Sequence, residues 1–131
     1  MIRYRSTALL LLALVLIPAV ASAADEVSFA RDIAPLLNAR CASCHLTGQE
    51  DGNLALHPGA AWASLVNVPS VESSLMRVKP GSPKESYLLL KLEGNHLDAG
   101  GTGRQMPLDG TPLDATALER IRSWIAGGAA K

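Results

Sequence analysis

An apolar stripe with helical spacing begins at Ile33. Leu36 and Leu37 follow at the i+3 and i+4 positions, which lie on one face of an α-helix. Asp32 directly precedes the stripe, and a carboxylate at this position can accept a hydrogen bond from the first helical turn. We therefore predict a helix that starts at Ile33, is capped by Asp32 and carries its apolar face on towards Cys41.

Two further helices are predicted from the signals at their ends. The sequence SPKE, from Ser82, has the pattern of a capping box with proline at the first helical position, and Gly94 lies where the helix would end. The apolar run between them also suits a strand, but the end signals favour a helix. A short helix is predicted over residues 60–66. Asp114 is predicted to cap a last helix with three apolar side chains on one face, Leu118, Ile121 and Ile125.

Long loops separate these predicted helices. The longest, residues 94–114, contains five glycines, and a loop of this length in a small domain usually carries function. No internal repeat is visible in the chain. The pattern as a whole predicts an all-α fold, a small domain of three to four helices with long loops.

Residues 1–23 have the features of a secretory signal peptide. Two arginines precede an apolar run, and the segment ends in ASA, a small-x-small cleavage site. The apolar run is shorter than the ~20 residues that span a bilayer. We expect cleavage of this segment, a periplasmic or otherwise exported protein, and a single mature domain of residues 24–131 without stable membrane insertion.

The composition of the mature domain bears on its partners and its core. Without the two arginines of the leader, ten basic residues remain against twelve acidic ones, a formal net charge of −2. This balance makes nucleic acid an unexpected partner. Small domains with few large side chains often need a covalent cross-link or a cofactor to be stable. The mature domain has only four aromatic residues, Phe29, Trp62, Tyr87 and Trp124.

Both cysteines of the chain lie in the sequence CASCH, at residues 41–45. C-x-x-C-H is the pattern of c-type haem attachment. Two thiols at this spacing can each add to a vinyl group at the porphyrin edge, and the adjacent histidine is then held beneath the ring with a nitrogen directed at the iron. The pattern predicts one covalently attached haem c, held by Cys41 and Cys44, with His45 as an axial ligand.

Three other kinds of site share part of this pattern. A zinc site requires four ligands; His57 offers a third, but no second histidine follows it at the usual spacing. A thioredoxin-like dithiol is expected in a strand–helix setting, whereas these cysteines follow a predicted helix. A plain disulfide between Cys41 and Cys44 suits an oxidising compartment but leaves the adjacent His45 without a role.

Four side chains are candidates for the second axial position: Met76, Met106, His57 and His96. Met76 lies in an apolar stretch and is expected in the core, and His57 is expected in a surface loop. Met106 follows the glycine-rich loop, and Pro107 biases its backbone towards an extended conformation, which suits the presentation of a thioether. His96, ten residues earlier in the same loop, competes with Met106.

Five stretches of the chain resemble the single-haem, class I-type cytochrome c domains of the planctomycete-type group. In order, they are SFARDIAPLLNARCASCH, GNLAL, VKPGSPKESYLLLKLEG, GRQMPL and LDATALERIRSWIAGGA, and they cover nearly the whole mature chain. The resemblance implies an all-α cytochrome c fold, haem c attached through both cysteines, and His45 and Met106 as the axial ligands. The chain differs at Leu46, where such domains often have glycine, and at Ala55, where they often have a polar or basic residue.

An iron ligated by histidine and methionine has no open position for a substrate, and the thioether favours the reduced state. We therefore expect an electron carrier rather than an enzyme, which transfers single electrons between a donor and an acceptor protein. The alternative is a haem-based sensor or a peroxide-reactive protein, in which the bond to Met106 is weak or absent.

Overall fold

Four α-helices joined by long loops make up residues 26–131, the part of the chain that the computed structural model describes; the expected leader at 1–23 lies outside it. Within this part there are isolated β-bridges but no strands, so the predicted all-α class is confirmed. None of its helices has the length and apolar character to cross a bilayer. The helices are α1 (Ala34–Arg40), α2 (Ala61–Leu65), α3 (Tyr87–Glu93) and α4 (Ala115–Ala126).

The first helical segment begins earlier than the sequence pattern suggested. A π-helical turn, Phe29–Ile33, runs directly into α1, and the Ser28 side chain accepts a hydrogen bond from the Arg31 N–H. The Asp32 N–H is already bonded to the Ser28 carbonyl at 2.8 Å. The prediction that Asp32 is the N-cap was therefore wrong. Its carboxylate instead reaches back to the Ser28 N–H at 2.8 Å, which satisfies a donor at the start of the turn.

The helix predicted after Ser82 is split in two. A 3-10 turn, Pro83–Glu85, precedes α3, and the Ser82 side chain makes no cap hydrogen bond, so the predicted capping box does not form. The break lies at Ser86, a fully buried residue whose hydroxyl accepts from the Lys79 N–H at 2.9 Å and donates to the Ser82 carbonyl at 2.9 Å. The predicted end at Gly94 is confirmed, with the residue in the left-handed region at φ 83°.

The last helix and the short α2 agree with their predictions. The Asp114 carboxylate accepts a hydrogen bond from the Ala117 N–H at 2.7 Å and caps α4. Ile121, Trp124 and Ile125 of α4 are buried, whereas Leu118 is only partly buried against the core. The apolar face of α4 is therefore the one that covers the core.

Aromatic side chains join the two ends of the domain. The rings of Phe29 and Trp124 pack with their centroids 5.3 Å apart. The indole N–H groups of Trp62 and Trp124 donate to the carbonyls of Ala129 and Ala130, at 2.9 and 2.8 Å. Each tryptophan thus has a partner for its polar edge, and residues 129 and 130 are held on the core.

Replacement of Ser86 by alanine is expected to destabilise the fold. The variant leaves the Lys79 N–H and the Ser82 carbonyl without their hydroxyl partner, at a cost of about 1–3 kcal/mol in the free energy of unfolding. Urea unfolding followed by circular dichroism measures this difference. Ser74→Ala, at an exposed serine, is the matched control and should change stability by no more than about 0.5 kcal/mol; equal effects of the two variants would contradict the role of the buried hydroxyl.

Candidate functional site

The structure brings all four sequence-predicted site residues to one cavity. Cys41, Cys44, His45 and Met106 line a space of about 510 Å³, a volume within the usual range of ligand pockets, roughly 300–1,000 Å³. Apolar side chains from α2, α3 and the loops form much of the remaining wall, among them Leu54, Leu56, Leu65, Leu88, Leu92 and Leu108. The cavity therefore combines an apolar wall with two thiols, one imidazole and one thioether.

A tight turn at the end of α1 positions the CASCH segment. The Cys41 N–H donates to the Leu37 carbonyl at 2.9 Å and ends the helix, and the Cys41 carbonyl accepts from the N–H groups of Cys44 and His45, at 3.1 and 3.0 Å. Leu37 is buried in the core. The helix is thus fixed by its apolar face, and the turn that follows presents both thiols and the imidazole to the cavity.

The two cysteines are free thiols in the structure and differ in environment. Cys44 is exposed, whereas Cys41 is partly buried, and burial raises the pKa of the Cys41 thiol to about 11. A redox dithiol or a reactive nucleophile requires a lowered thiol pKa, because the thiolate is the reactive species. The Cys41 environment is therefore the opposite of the one that a thioredoxin-like site needs.

The imidazole of His45 has a polar atom without a protein partner. Its Nδ1 is buried and makes no hydrogen bond, although the backbone around it is fixed by a bond from the Leu56 N–H to the His45 carbonyl at 2.9 Å. A buried polar atom without a partner is costly and usually has a functional explanation. His45 thus lines the cavity with a buried nitrogen that lacks a partner, a property that the Nδ1 of His96 shares.

The structure places the candidates for the second axial ligand in different parts of the domain, and only one of them lines the cavity. Met106 lines the cavity, whereas His96 does not. His96 is buried elsewhere, at 2% exposure, and its Nε2 lies 3.1 Å from the Gly103 carbonyl. His57 is exposed, as predicted. Met76 is 38% exposed and not in the core; that prediction was wrong because the residue lies in an irregular segment bridged to Pro69 and Ser86.

Lys91 anchors the loop that carries Met106, and the sequence analysis missed it. Its ammonium is buried, donates to the Thr102 carbonyl and lies 3.0 Å from the Glu72 carboxylate. Its own carbonyl accepts a hydrogen bond from the Met106 N–H at 3.1 Å. Lys91 thus ties both the middle and the end of the loop to α3. The only sequence signal was a lysine inside the apolar run YLLLKL.

Further contacts hold the same loop against α3. The side-chain amide of Gln105 donates to the Leu92 carbonyl at 2.8 Å. A Cβ built on Gly101 would lie 2.6 Å from Tyr87 Cε2 and 2.7 Å from the His96 carbonyl oxygen, so only glycine allows this close approach. The glycine-rich loop is therefore packed and hydrogen-bonded around Met106.

A carboxylate at the cavity wall organises the segment after His45. Glu50 accepts hydrogen bonds from the N–H groups of Thr47 and Gly48 and from the Thr47 hydroxyl, all between 2.8 and 3.2 Å. These bonds, chiefly that from the Thr47 side chain, lower the pKa of the Glu50 carboxyl to about 2. Glu50 is thus occupied by its own loop.

The zinc alternative finds no support in the described geometry. Residues 26–131 contain no group of three or more histidine, cysteine, aspartate or glutamate side chains arranged to hold a metal ion directly. His57, the third ligand that this alternative needed, is exposed and does not line the cavity with the cysteines. The side chains that do converge are those of the C-x-x-C-H pattern and Met106.

Comparisons of the chain with protein-family models, with curated proteins and with solved structures found no match. The functional assignment of the cavity therefore depends on its own residues and their chemistry.

The two thiols should differ in their rate of alkylation. At pH 8 the Cys41 thiol lies about three units below its pKa and is almost entirely protonated, whereas Cys44 is exposed. In the folded polypeptide without haem, we expect iodoacetamide to modify Cys44 at least about tenfold faster than Cys41, as measured by peptide mass spectrometry. The two rates should converge in urea. Equal rates in the folded protein would contradict this arrangement.

Protonation of Glu50 should break its hydrogen bonds to Thr47 and Gly48, and this should happen only at an unusually low pH. The lowered pKa stabilises the folded loop above the ordinary glutamate value of 4.5, and this contribution is lost as the pH falls towards about 2. The amide proton shifts of Thr47 and Gly48, followed by NMR, should titrate with a midpoint of about 2. Glu50→Gln should remove this transition; a midpoint near 4.5 in the unaltered protein would contradict the hydrogen bonding.

Proposed function

We propose that this chain is an exported mono-haem c-type cytochrome that transfers single electrons between redox partner proteins. One observation carries the proposal: a single cavity is lined by both thiols of a C-x-x-C-H sequence, its histidine and a distant methionine. The methionine lies 61 positions beyond His45 in the sequence. Neither the short pattern nor a disulfide accounts for the presence of Met106 at this site.

The residues present fit a haem c. Cys41 and Cys44 would hold it through two thioethers, and His45 and Met106 would supply the axial ligands, a recognised cytochrome c arrangement. The apolar wall agrees with a site that holds a flat apolar group. When bound, haem supplies an iron that gains and loses one electron. The protein's own side chains would supply the attachment points, the iron ligands and the apolar surroundings.

With haem bound, the protein's own side chains would fill both axial positions and keep the surroundings apolar. His45 and Met106 would then leave no position to a substrate, which favours electron transfer over catalysis. The thioether is a soft ligand and raises the reduction potential. Leu56, Leu65 and Leu92 of the wall are buried, and an apolar shell limits solvent access to a metal site and so tunes its reduction potential.

The protein also contributes by holding the loop that carries Met106 in a fixed position. The hydrogen bond from the Met106 N–H to the Lys91 carbonyl, and the Gln105 bond to Leu92, hold the methionine from the α3 side. An axial ligand that stays in place during electron gain and loss keeps the structural rearrangement small. Lys91 and Gln105 therefore act as positioning residues for Met106.

Spectroscopy of axial variants tests the proposal. The protein is expressed with haem-attachment machinery, and its absorption is recorded in the oxidised and reduced states. We expect covalent haem with the weak far-red sulfur-to-iron band when oxidised. Met106→Ala should abolish this band and lower the reduction potential, because the soft ligand is lost.

His96→Gln is the matched control, because an amide at this position can still bond to the Gly103 carbonyl. It should keep the far-red band. If Met106→Ala keeps the band, the axial assignment is wrong, because the sulfur ligand is then another residue. If the unaltered protein holds covalent haem without the band, the iron has an open or different sixth position, and the sensor or peroxide-reactive alternative replaces the carrier.

A further inference from the structure

His96 is a buried, titratable side chain to which the proposed function gives no role. Its imidazole is 2% exposed, and its Nε2 lies 3.1 Å from the Gly103 carbonyl oxygen. Because a carbonyl oxygen only accepts hydrogen bonds, Nε2 carries the proton and donates it. The His96 carbonyl in turn accepts from the Gly101 N–H at 2.9 Å. These two bonds join the start of the loop to its second half, three residues before Met106.

The other ring nitrogen of His96 has no partner. Its Nδ1 is buried and makes no hydrogen bond among the residues that the structure describes. In the neutral ring this atom is an acceptor without a donor. In a protonated ring it would be an N–H group without an acceptor, on a side chain that carries a full positive charge. The closed loop therefore offers nothing that stabilises the added proton.

The ion pair that approaches this part of the loop is already complete. A Cβ built on Gly103 would lie 3.3 Å from the Lys91 ammonium and 3.9 Å from a Glu72 carboxylate oxygen. The Glu72 carboxylate is shared by Lys91 and the Tyr87 hydroxyl, at 3.0 and 3.1 Å. A proton on His96 would thus place a second positive charge beside a carboxylate that Lys91 already neutralises.

No other acidic group compensates a charge on His96. Within the loop itself, the charged side chains of Asp98 and Arg104 are exposed. Among the described residues, no carboxylate lies within 4 Å of the His96 ring nitrogens. Burial of a charge without a partner costs far more than burial of a neutral polar group. The closed loop therefore accepts the neutral ring and excludes the protonated one.

Opening of the loop removes this restriction, because the ring is then hydrated. An imidazole in water takes up a proton at about pH 6.5. Acid therefore stabilises the open loop, which can bind the proton, over the closed loop, which cannot. The stability that the neutral ring gives to the closed loop is fully present above this pH and is lost as the pH falls.

We propose that protonation of His96 opens the loop that carries Met106 and withdraws the thioether from the cavity. The inference rests on the proposed function, under which Met106 is an axial ligand of haem iron. Acid thereby removes the soft ligand, lowers the reduction potential and leaves the sixth position open. The chain is then an electron carrier at neutral pH and loses this property in acid.

Amide hydrogen exchange of the oxidised, haem-bearing protein measures the ratio of open to closed loop. The N–H groups of Gly101 and Met106 report on it, because they bond to the carbonyls of His96 and Lys91. After correction for intrinsic exchange rates, we expect the ratio to rise roughly 25-fold between about pH 7 and pH 5, which corresponds to the uptake of one proton by a histidine. The far-red sulfur-to-iron band should weaken to the extent that the open form accumulates.

Two glutamine variants separate titration from structure. His96→Gln keeps a donor for the Gly103 carbonyl but takes up no proton, so its ratio should not change between pH 7 and pH 5. His57→Gln removes an exposed histidine and should follow the unaltered protein. A purely structural role of His96 would raise the ratio of His96→Gln equally at every pH and would leave the pH dependence in place.

Two results would overturn the inference alone. They are a constant ratio between pH 7 and pH 5 in the unaltered protein with covalent haem, and the same pH dependence in His96→Gln as in His57→Gln. The first can be read even if His96→Gln fails to fold. An unaltered protein that carries no covalent haem would instead overturn the proposed function, and this inference with it.

Discussion

The packing of Phe29 against Trp124 is the contact on which the site depends. It joins the π-helical turn before α1 to the last helix, so that the first and last helical segments share one core. α1 then ends at Arg40, and the turn that follows presents the two thiols and the imidazole in a single direction. Because the π-helical turn, α1 and the turn after it form one continuous hydrogen-bonded segment, the core at one end determines where Cys41 and His45 lie at the other.

The second side of the cavity is held by α3 and not by the core. The loop that carries Met106 has few apolar anchors, and it is kept in place by polar bonds to α3 and by the buried ammonium of Lys91. Buried polar groups of this kind stabilise only when all are satisfied. The cavity is thus bounded on one side by apolar packing and on the other by a polar network, in which the buried Nδ1 of His96 has no partner.

The sequence predicted the elements that depend on local signals. The α4 cap at Asp114, the glycine stop at Gly94 and the four residues that converge on the cavity follow from short-range patterns, and the structure agrees. The N-cap at Asp32 and the capping box at Ser82 were wrong. The first helical segment begins four residues earlier than predicted, with Ser28 as its cap. After Ser82, the Glu85 N–H bonds to the Ser82 carbonyl and not to its side chain. A single-residue pattern does not reveal either outcome.

Residues that act through long-range contacts could not be predicted in this way. Arg77 binds carbonyls 13 to 25 positions away, and Lys91 binds one 11 positions away. The residues next to Arg77 and Lys91 in the sequence do not indicate these partners. Met106 was the exception: a proline, a glycine-rich loop and the need for a second ligand favoured it, together with the resemblance to cytochrome c domains, while His96 remained an alternative.

The intact mass of the mature protein, after expression with haem-attachment machinery and acid–acetone extraction, tests the central claim most directly. The account predicts the polypeptide plus one haem, with both Cys41 and Cys44 modified in the peptide that contains residues 41–45. A polypeptide without haem, or one whose two cysteines form a disulfide, would contradict it.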